Sequence, residues 1–289
     1  MGELVRLVDV LLRTERYLRD KGIPSPRREA ELLLSHALTM ERLQLYLAHD
    51  RPMSEDELAQ LRELVRRRGQ REPIAWILGS QGFHDIDVLV EPGVLVPRPD
   101  TEALVNAFLE AVPADEPGPI YVADVGCGSG AIGLAIAHAR PAVRLFATDI
   151  EEAPLRVTRR NVEALGLKDR VAVLRGNLLE PVPADRRIDW VVSNPPYIPS
   201  GDLAALQPEV SRWEPRRALD GGPDGLEPYR QLVPQAARRA HRGLFLEVGH
   251  DQAGRVSDLL RRAGFEGLAT HDDLGGIARV VSGRTPAPR

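Results

Sequence analysis

Four consecutive residues, Asn194-Pro195-Pro196-Tyr197, have the types and spacing to grip a flat NH2 group. They follow Ile188–Ser193, an apolar run that reads as a buried strand. The two prolines stiffen the turn and remove two backbone donors, which leaves carbonyls free as acceptors. The Asn194 side-chain oxygen can accept one N–H of a planar NH2 group and the Pro195 carbonyl the other. Tyr197 can cover the flat face by stacking. An amide nitrogen is a poor nucleophile because its lone pair is delocalised. Two acceptors shift electron density onto it and fix its approach, and positioning of this kind is worth roughly 7–11 kcal/mol of barrier. In-line transfer of a methyl from a sulfonium to such a nitrogen needs no metal. The plainer alternative is a Pro-Pro turn whose asparagine merely caps a loop.

A second constellation lies upstream. Asp124-Val125-Gly126-Cys127-Gly128-Ser129-Gly130 sits where an apolar strand gives way to a helix. Glycines at that junction permit positive φ and let the backbone approach a ligand at a helix N-terminus. Asp149 ends the next strand, where a carboxylate can accept hydrogen bonds from a ribose diol. Together they imply an adenosine-containing cofactor. Gly128 to Gly133 also fits the GxGxxG pattern, so this loop by itself leaves NAD and S-adenosylmethionine both open.

The elements that must position these residues follow from periodicity. Tyr121–Val125, Val143–Thr148, Val171–Leu174, Ile188–Ser193, Leu244–Val248, Phe265–Thr270 and Ala278–Val281 read as strands. Helices fit between most of them, at Ala131–Ala139, Glu152–Leu165, Leu226–His241 and Gln252–Ala263. The alternation argues for an α/β fold, a doubly wound and mostly parallel sheet. The last two strands lack an intervening helix, so an antiparallel edge pair is expected. In such a sheet the strand ends carrying the glycine loop and Asn194 face one crevice.

Residues 1–73 read instead as a small helical bundle. Leu4, Val5, Leu7, Val8, Leu11 and Leu12 have helical spacing, and Gly22 and Pro24 stop that helix. Ser25 with Pro26 opens a second helix, through Leu38. Ser54 and Glu57 have capping-box spacing for a third, which runs to Gly69. Residues 74–97 read as a β-hairpin linker with its turn at Pro92-Gly93, and 98–289 as the catalytic domain. Asp100 can cap a helix through Leu109. The tail after Arg284 reads as disordered.

Bulk properties exclude several classes. A chain of 289 residues with 43% hydrophobic and 28% charged residues is an ordinary globular protein, long enough for one large domain and a small one. No run reaches membrane-crossing length, and Met1–Arg6 does not open a secretory signal. The single cysteine, Cys127, excludes an internal disulfide framework and suits the cytoplasm. A net charge of −4 argues against direct nucleic-acid binding. The seven histidines show no paired ligand spacing, so no metal is expected. Cys127 reads as a small residue that fits its loop, Arg66-Arg67-Arg68 as a solvated helix end, and Trp76 and Trp213 as core anchors or groove residues.

The glycine loop, Asp149 and Asn194 to Pro199 together resemble class I N-methyltransferases. The flanks narrow that resemblance. Val96-Pro97-Arg98-Pro99-Asp100-Thr101-Glu102 is similar to the linker signature of HemK-type release factor glutamine N5-methyltransferases. So are Glu214 to Gly222, Asp224-Gly225-Leu226, Leu246-Glu247-Val248-Gly249 and Asp273-Leu274-Gly275-Gly276. The resemblance spans the chain and implies methyl transfer from S-adenosylmethionine, with S-adenosylhomocysteine as product. The acceptor it implies is the glutamine of the Gly-Gly-Gln motif of class 1 peptide chain release factors. It places Gly126, Cys127, Gly128, Ser129, Gly130, Asp149 and Asn194 on the cofactor, with Asn177 and Leu178 beside its adenine. Asn194 to Tyr197 would hold the glutamine amide. One departure is Asn177, where the family often has aspartate, which leaves an uncharged acceptor for the adenine amino group.

Three alternatives share parts of this pattern. A glutamine N5-methyltransferase of a ribosomal protein would use the same chemistry. A nucleic-acid amino-group methyltransferase would use the same acceptors but needs an electropositive groove. An NAD-dependent oxidoreductase accounts for the glycine loop and leaves Asn-Pro-Pro-Tyr unexplained.

Overall fold

A computed structural model describes residues 5–286. Leu4 and the last three residues of the tail, both named above, lie outside them. The chain divides into two compact units, one made of residues up to Gly79 together with Pro208–Trp213, the other of Ser80–Gln207 with Glu214 onward.

The first unit is helical: α1 (Leu7–Asp20), α2 (Pro26–Leu38), α3 (Arg42–Leu47), α4 (Glu55–Gly69) and α5 (Ile74–Leu78). Its core gathers Leu7, Leu11, Leu18, Leu33, Leu34, Leu45, Leu61 and Ile77. The Ser54 hydroxyl accepts from the Glu57 amide at 3.2 Å while the Glu57 carboxylate accepts from the Ser54 amide at 2.9 Å, a complete capping box. Residues 74–78, expected to open the hairpin, form α5 instead, and Trp76 within it is buried. The reading of Arg66-Arg67-Arg68 as a solvated end needs correction at Arg68. Its side chain is only 3% exposed and is paired with Glu29 and, at 2.8 Å, with Glu209 of the short helix α9 (Pro208–Ser211). The other Glu209 oxygen accepts from Arg71 at 2.7 Å.

The second unit opens on an antiparallel hairpin, β1 (Ser80–Phe83) and β2 (Ile86–Leu89). Its turn is His84-Asp85, with His84 at φ 51°, and not Pro92-Gly93. Pro92-Gly93 does form a turn, closed by the Val94 amide on the Glu91 carbonyl at 3.1 Å with Gly93 at φ 92°. Residues 94–96 belong to no strand, and the Val96 amide donates to the Glu214 side chain at 3.4 Å. A 3-10 turn over Pro99–Thr101 leads into α6 (Glu102–Ala111), so Thr101 and not Asp100 stands at its N-cap.

Seven strands of the described residues then form one sheet: β3 (Ile120–Val125), β4 (Val143–Asp149), β5 (Val171–Arg175), β6 (Ile188–Ser193), β7 (Ala240–Glu247), β8 (Glu266–Asp272) and β9 (Ala278–Arg284). They lie in the order β5-β4-β3-β6-β7-β9-β8, parallel except where β9 runs against both β7 and β8. Helices α7 (Ala131–Ala139), α8 (Glu152–Ala164), α10 (Glu227–Arg239) and α11 (Ala253–Arg262) connect the strands. Strand β6 is buried at every position, as a strand covered on both faces must be. Phe108 of α6 packs edge-on against Trp190 of β6 and Phe245 of β7. Order reverses at β3, where β4 lies on one side and β6 on the other, so the carboxyl ends of these strands frame the crevice. Among the described residues no helix is long and apolar enough to cross a membrane.

Candidate active site

The glycine loop leaves β3 with three positive φ angles, 69° at Gly126, 58° at Gly128 and 83° at Gly130. A Cβ added at Gly126 or Gly128 would meet nothing within 4 Å, so these backbones face open space. Gly133, in the first turn of α7, is glycine for another reason. A Cβ there would stand 2.8 Å from Asp124 Oδ2 and 2.7 Å from Leu145. Asp124 Oδ2 accepts from the Gly133 amide at 3.0 Å and so ties the end of β3 to the start of α7. Burial pushes the Asp124 carboxyl up to about 7.

Helix α8 holds the loop from its other side. Thr158 donates to the Gly128 carbonyl at 2.9 Å, and Asn161 donates to the Ser129 carbonyl at 2.8 Å. Asn161 also exchanges hydrogen bonds with the backbone of Leu89, which joins the loop to the hairpin. The Cys127 side chain is buried 3.6 Å from the Thr158 hydroxyl, and burial raises its thiol well above the usual range. A thiol kept protonated is no nucleophile.

Asp149 ends β4 with its carboxylate turned back onto the loop. Oδ2 accepts from the Gly128 amide at 3.1 Å and Oδ1 from the Glu151 amide at 3.0 Å. Burial raises its carboxyl above the ordinary range, against the pull of those two amides. The next strand end is held by Thr148, whose hydroxyl donates to the Leu178 carbonyl at 2.9 Å. Asn177 donates through its NH2 to Glu180 at 3.2 Å.

The turn after β6 is supported by a distant segment. The Ile198 amide donates to the Leu219 carbonyl at 3.0 Å and the Gly221 amide to the Ile198 carbonyl at 2.8 Å. Gln252 donates to the Tyr197 carbonyl at 2.8 Å, with its own orientation set by the Gly249 amide on Oε1 at 3.0 Å. Gly225, at φ 74°, passes so close that an added Cβ would stand 2.3 Å from the Tyr197 carbonyl oxygen. The turn is therefore braced on its backbone rather than on its prolines alone.

These pieces share one cleft of about 210 Å3. Gly126, Gly128, Asp149, Asn177, Leu178, Asn194 and Pro196 line it, with Leu95 and Arg217 among the others. Ser129 and Pro195 are buried, and they stand outside its lining, as do Cys127, Gly130 and Tyr197. Tyr197 is partly buried, with its hydroxyl 3.4 Å from Glu247 Oε1. Several supports escaped the residue-pattern reading: Thr101, Asp124, Thr158, Asn161, Glu214, Glu247 and Gln252. Glu247 had a local signal, since a carboxylate in an otherwise apolar strand is a buried charge that demands partners. The others make contacts that adjacent sequence does not reveal. The described residues hold no group of three or more His, Cys, Asp or Glu side chains that could bind a metal ion.

The cleft tests the adenosine-containing cofactor by shape. Two glycine backbones face it without side chains, and a carboxylate stands at the neighbouring strand end, which is what a ribose and its flanking chain require. Replacing Asp149 by alanine should lower S-adenosylmethionine affinity by roughly 1.5–3 kcal/mol, the range for hydrogen bonds to a charged group. Calorimetric titration reads this directly, and an unchanged dissociation constant removes Asp149 from the cofactor site.

The strand order, the reversed β9 and the ligand crevice at the β3 switch point define a class I methyltransferase fold. The same fold is seen in the hMettl16 catalytic domain, at a TM-score of 0.55 with 14% identity over 70% of this chain and 78% of that one. Residues 9–79 match the family model of the PrmC N-terminal domain, and residues 93–206 that of the methyltransferase small domain. A release factor glutamine methyltransferase of Geobacter sulfurreducens is 44% identical over 98% of both chains. Another, from Caulobacter vibrioides, is 41% identical over 92% of each. The chain belongs to the release factor glutamine methyltransferases, enzymes that depend on S-adenosylmethionine.

Proposed function

We propose that this chain transfers a methyl group from S-adenosylmethionine to the N5 amide nitrogen of the glutamine in the Gly-Gly-Gln motif of class 1 peptide chain release factors. The observation that carries this reading is the shared cleft, in which Asn194 lies in the same wall as Gly126, Gly128 and Asp149. When bound, the cofactor supplies an electrophilic methyl on a sulfonium. Gly126 to Gly130 and Asp149 hold it, with Asn177 and Leu178 flanking the adenine. Asn177 gives its NH2 to Glu180, which turns its Oδ1 toward the other side as an acceptor. Asn194 Oδ1 and the Pro195 carbonyl take the two hydrogens of the glutamine NH2, and the Tyr197 ring covers the amide plane. The site works by orientation and by electron density returned to nitrogen.

The direct test incubates the protein with labelled S-adenosylmethionine and, separately, a release factor, a ribosomal protein and DNA. Mass spectrometry then places the added methyl. Label on the Gly-Gly-Gln glutamine is the expected outcome, and label confined to the ribosomal protein or to DNA overturns the assignment.

The helical unit is proposed to recognise the protein substrate. Its surface carries a groove lined by Val10, Tyr17, Leu58 and Val65 together with Arg13, Arg62 and Arg66, and exposes Leu43 and Leu47 on α3. Apolar area with a basic margin suits a protein surface bearing acidic groups. Deleting residues before Ile74 should weaken release factor binding and leave cofactor affinity intact. Loss of both, measured by titration, counts against a separate recognition role.

A further inference from the structure

Residues 177–180 form a turn, closed by the Glu180 amide on the Asn177 carbonyl at 3.0 Å. Its second residue, Leu178, has φ 50°. Turns with positive φ at that place are normally built from glycine, asparagine or aspartate, and a bulky side chain there is strained. Leucine serves two surfaces at this position. It lines the cofactor cleft, and it packs against the buried cluster that includes Leu179, Val182 and Leu232. A residue in so sparsely populated a conformation persists only where its surroundings over-determine it. Thr148, fully buried at the end of β4, donates its hydroxyl to the Leu178 carbonyl at 2.9 Å. The only other carbonyl it reaches, that of Asp124, is farther away at 3.5 Å. The Leu179 amide donates to Oε1 of Gln235 on α10 at 3.3 Å. The turn's own bond holds the Asn177 carbonyl. Both peptide planes flanking Leu178 are thus pinned, and its φ and ψ follow from them.

We infer that Thr148 and Gln235 are positioning residues for the cofactor, which clamp Leu178 left-handed so that it and Asn177 wall the adenine end of the cleft. Neither of the two lines the cleft itself. The direction of both bonds is fixed by their backbone ends. A carbonyl can only accept and an N–H can only donate, so Thr148 gives its hydrogen and Gln235 presents its oxygen. Without this hold the leucine relaxes to negative φ, and rotation there swings the turn out of register with the cleft. Local sequence marks neither residue. Thr148 reads as a strand end, and Gln235 as a helix residue 56 positions beyond the amide it accepts from. The inference rests on the adenine lying beside Asn177 and Leu178, as proposed above, and its test separates the two.

Thr148→Val keeps the shape of the side chain and removes the hydroxyl. Calorimetric titration should show S-adenosylmethionine binding weakened about 3- to 10-fold, the net worth of one hydrogen bond. At saturating cofactor, kcat and the KM for the release factor should stay within about twofold, the pattern of lost cofactor binding alone. Thr148→Ser restores the hydroxyl and should recover the affinity. Should Thr148→Val not fold, Gln235→Met tests the other bond and should weaken binding likewise. Gln235→Glu keeps an acceptor and should bind as the unsubstituted protein does. A Leu178→Gly background gives a readout that a general loss of packing would not move. Glycine takes positive φ unaided, so adding Thr148→Val there should cost less than about twofold. An equal cost in both backgrounds overturns the clamp. So does normal affinity in Thr148→Val and Gln235→Met when Asn177→Ala binds weakly. If Asn177→Ala and Leu178→Gly both bind S-adenosylmethionine normally, the placing of the adenine itself fails.

Discussion

The Asn194→Ala variant is expected to lose about 100-fold or more in kcat at saturating cofactor, the scale on which misplacement of a reacting group slows an enzyme. Alanine removes the side-chain acceptor and leaves the Pro195 carbonyl, so the substrate NH2 would be held at one hydrogen and free to rotate. The rest of the turn should survive. Its backbone is fixed by Gln252 on the Tyr197 carbonyl and by the Ile198 bonds to Leu219 and Gly221, none of which uses the Asn194 side chain. Thermal unfolding should therefore shift little while single-turnover methylation slows. A near-normal rate would remove the chemical case for this turn.

The second large effect is expected at a residue that touches no substrate. Gly225→Ala places a Cβ 2.3 Å from the Tyr197 carbonyl oxygen and 2.5 Å from Gln252 Nε2, at a φ of 74° that alanine resists. The Tyr197 carbonyl is backbone and cannot yield cheaply, so the turn must move. Overpacking of this kind costs about 1–3 kcal/mol of stability, and a displacement of about 1 Å in the turn should cost on the order of 100-fold in rate. Gly201→Ala is the comparison, since an added Cβ there meets nothing within 4 Å and the residue is exposed. Equal activity in the two variants would show that the brace does not govern the turn.

These two residues also mark what the amino-acid order reveals. Asn194, its prolines and the glycines at 126, 128 and 130 are legible because their chemistry is local. A turn signal at the end of an apolar strand, and glycines where φ must be positive, need no knowledge of the rest of the chain. The sheet was legible for the same reason, and each of its seven strands lies within a few residues of the expected bounds, whereas the expected hairpin strand after Pro92-Gly93 does not form. The contact of Asn194 Nδ2 with the Thr101 hydroxyl at 3.3 Å is different. Thr101 has an ordinary local explanation at a helix N-terminus, and only the folding of distant segments brings it to the turn. The hairpin turn failed in the opposite way. Pro92-Gly93 is the stronger signal and does turn the chain, yet His84-Asp85 closes the strands, with His84 in the left-handed conformation that histidine adopts more readily than most residues. Arg68 misled through its neighbours. A triple-arginine helix end looks like solvent-exposed charge until Glu209, far along the chain, reaches its guanidinium.

Strand β9 is made after β8 yet lies between β8 and β7, and β8 has no other neighbour in the sheet. Strands therefore cannot be laid down on this flank one after another as the polypeptide emerges. Until residues 278–284 arrive, β7 keeps an open ladder edge and residues 266–272 have nothing to pair with. Closure of this side waits for the last strand, and until then the β7 edge is open to pairing with another chain.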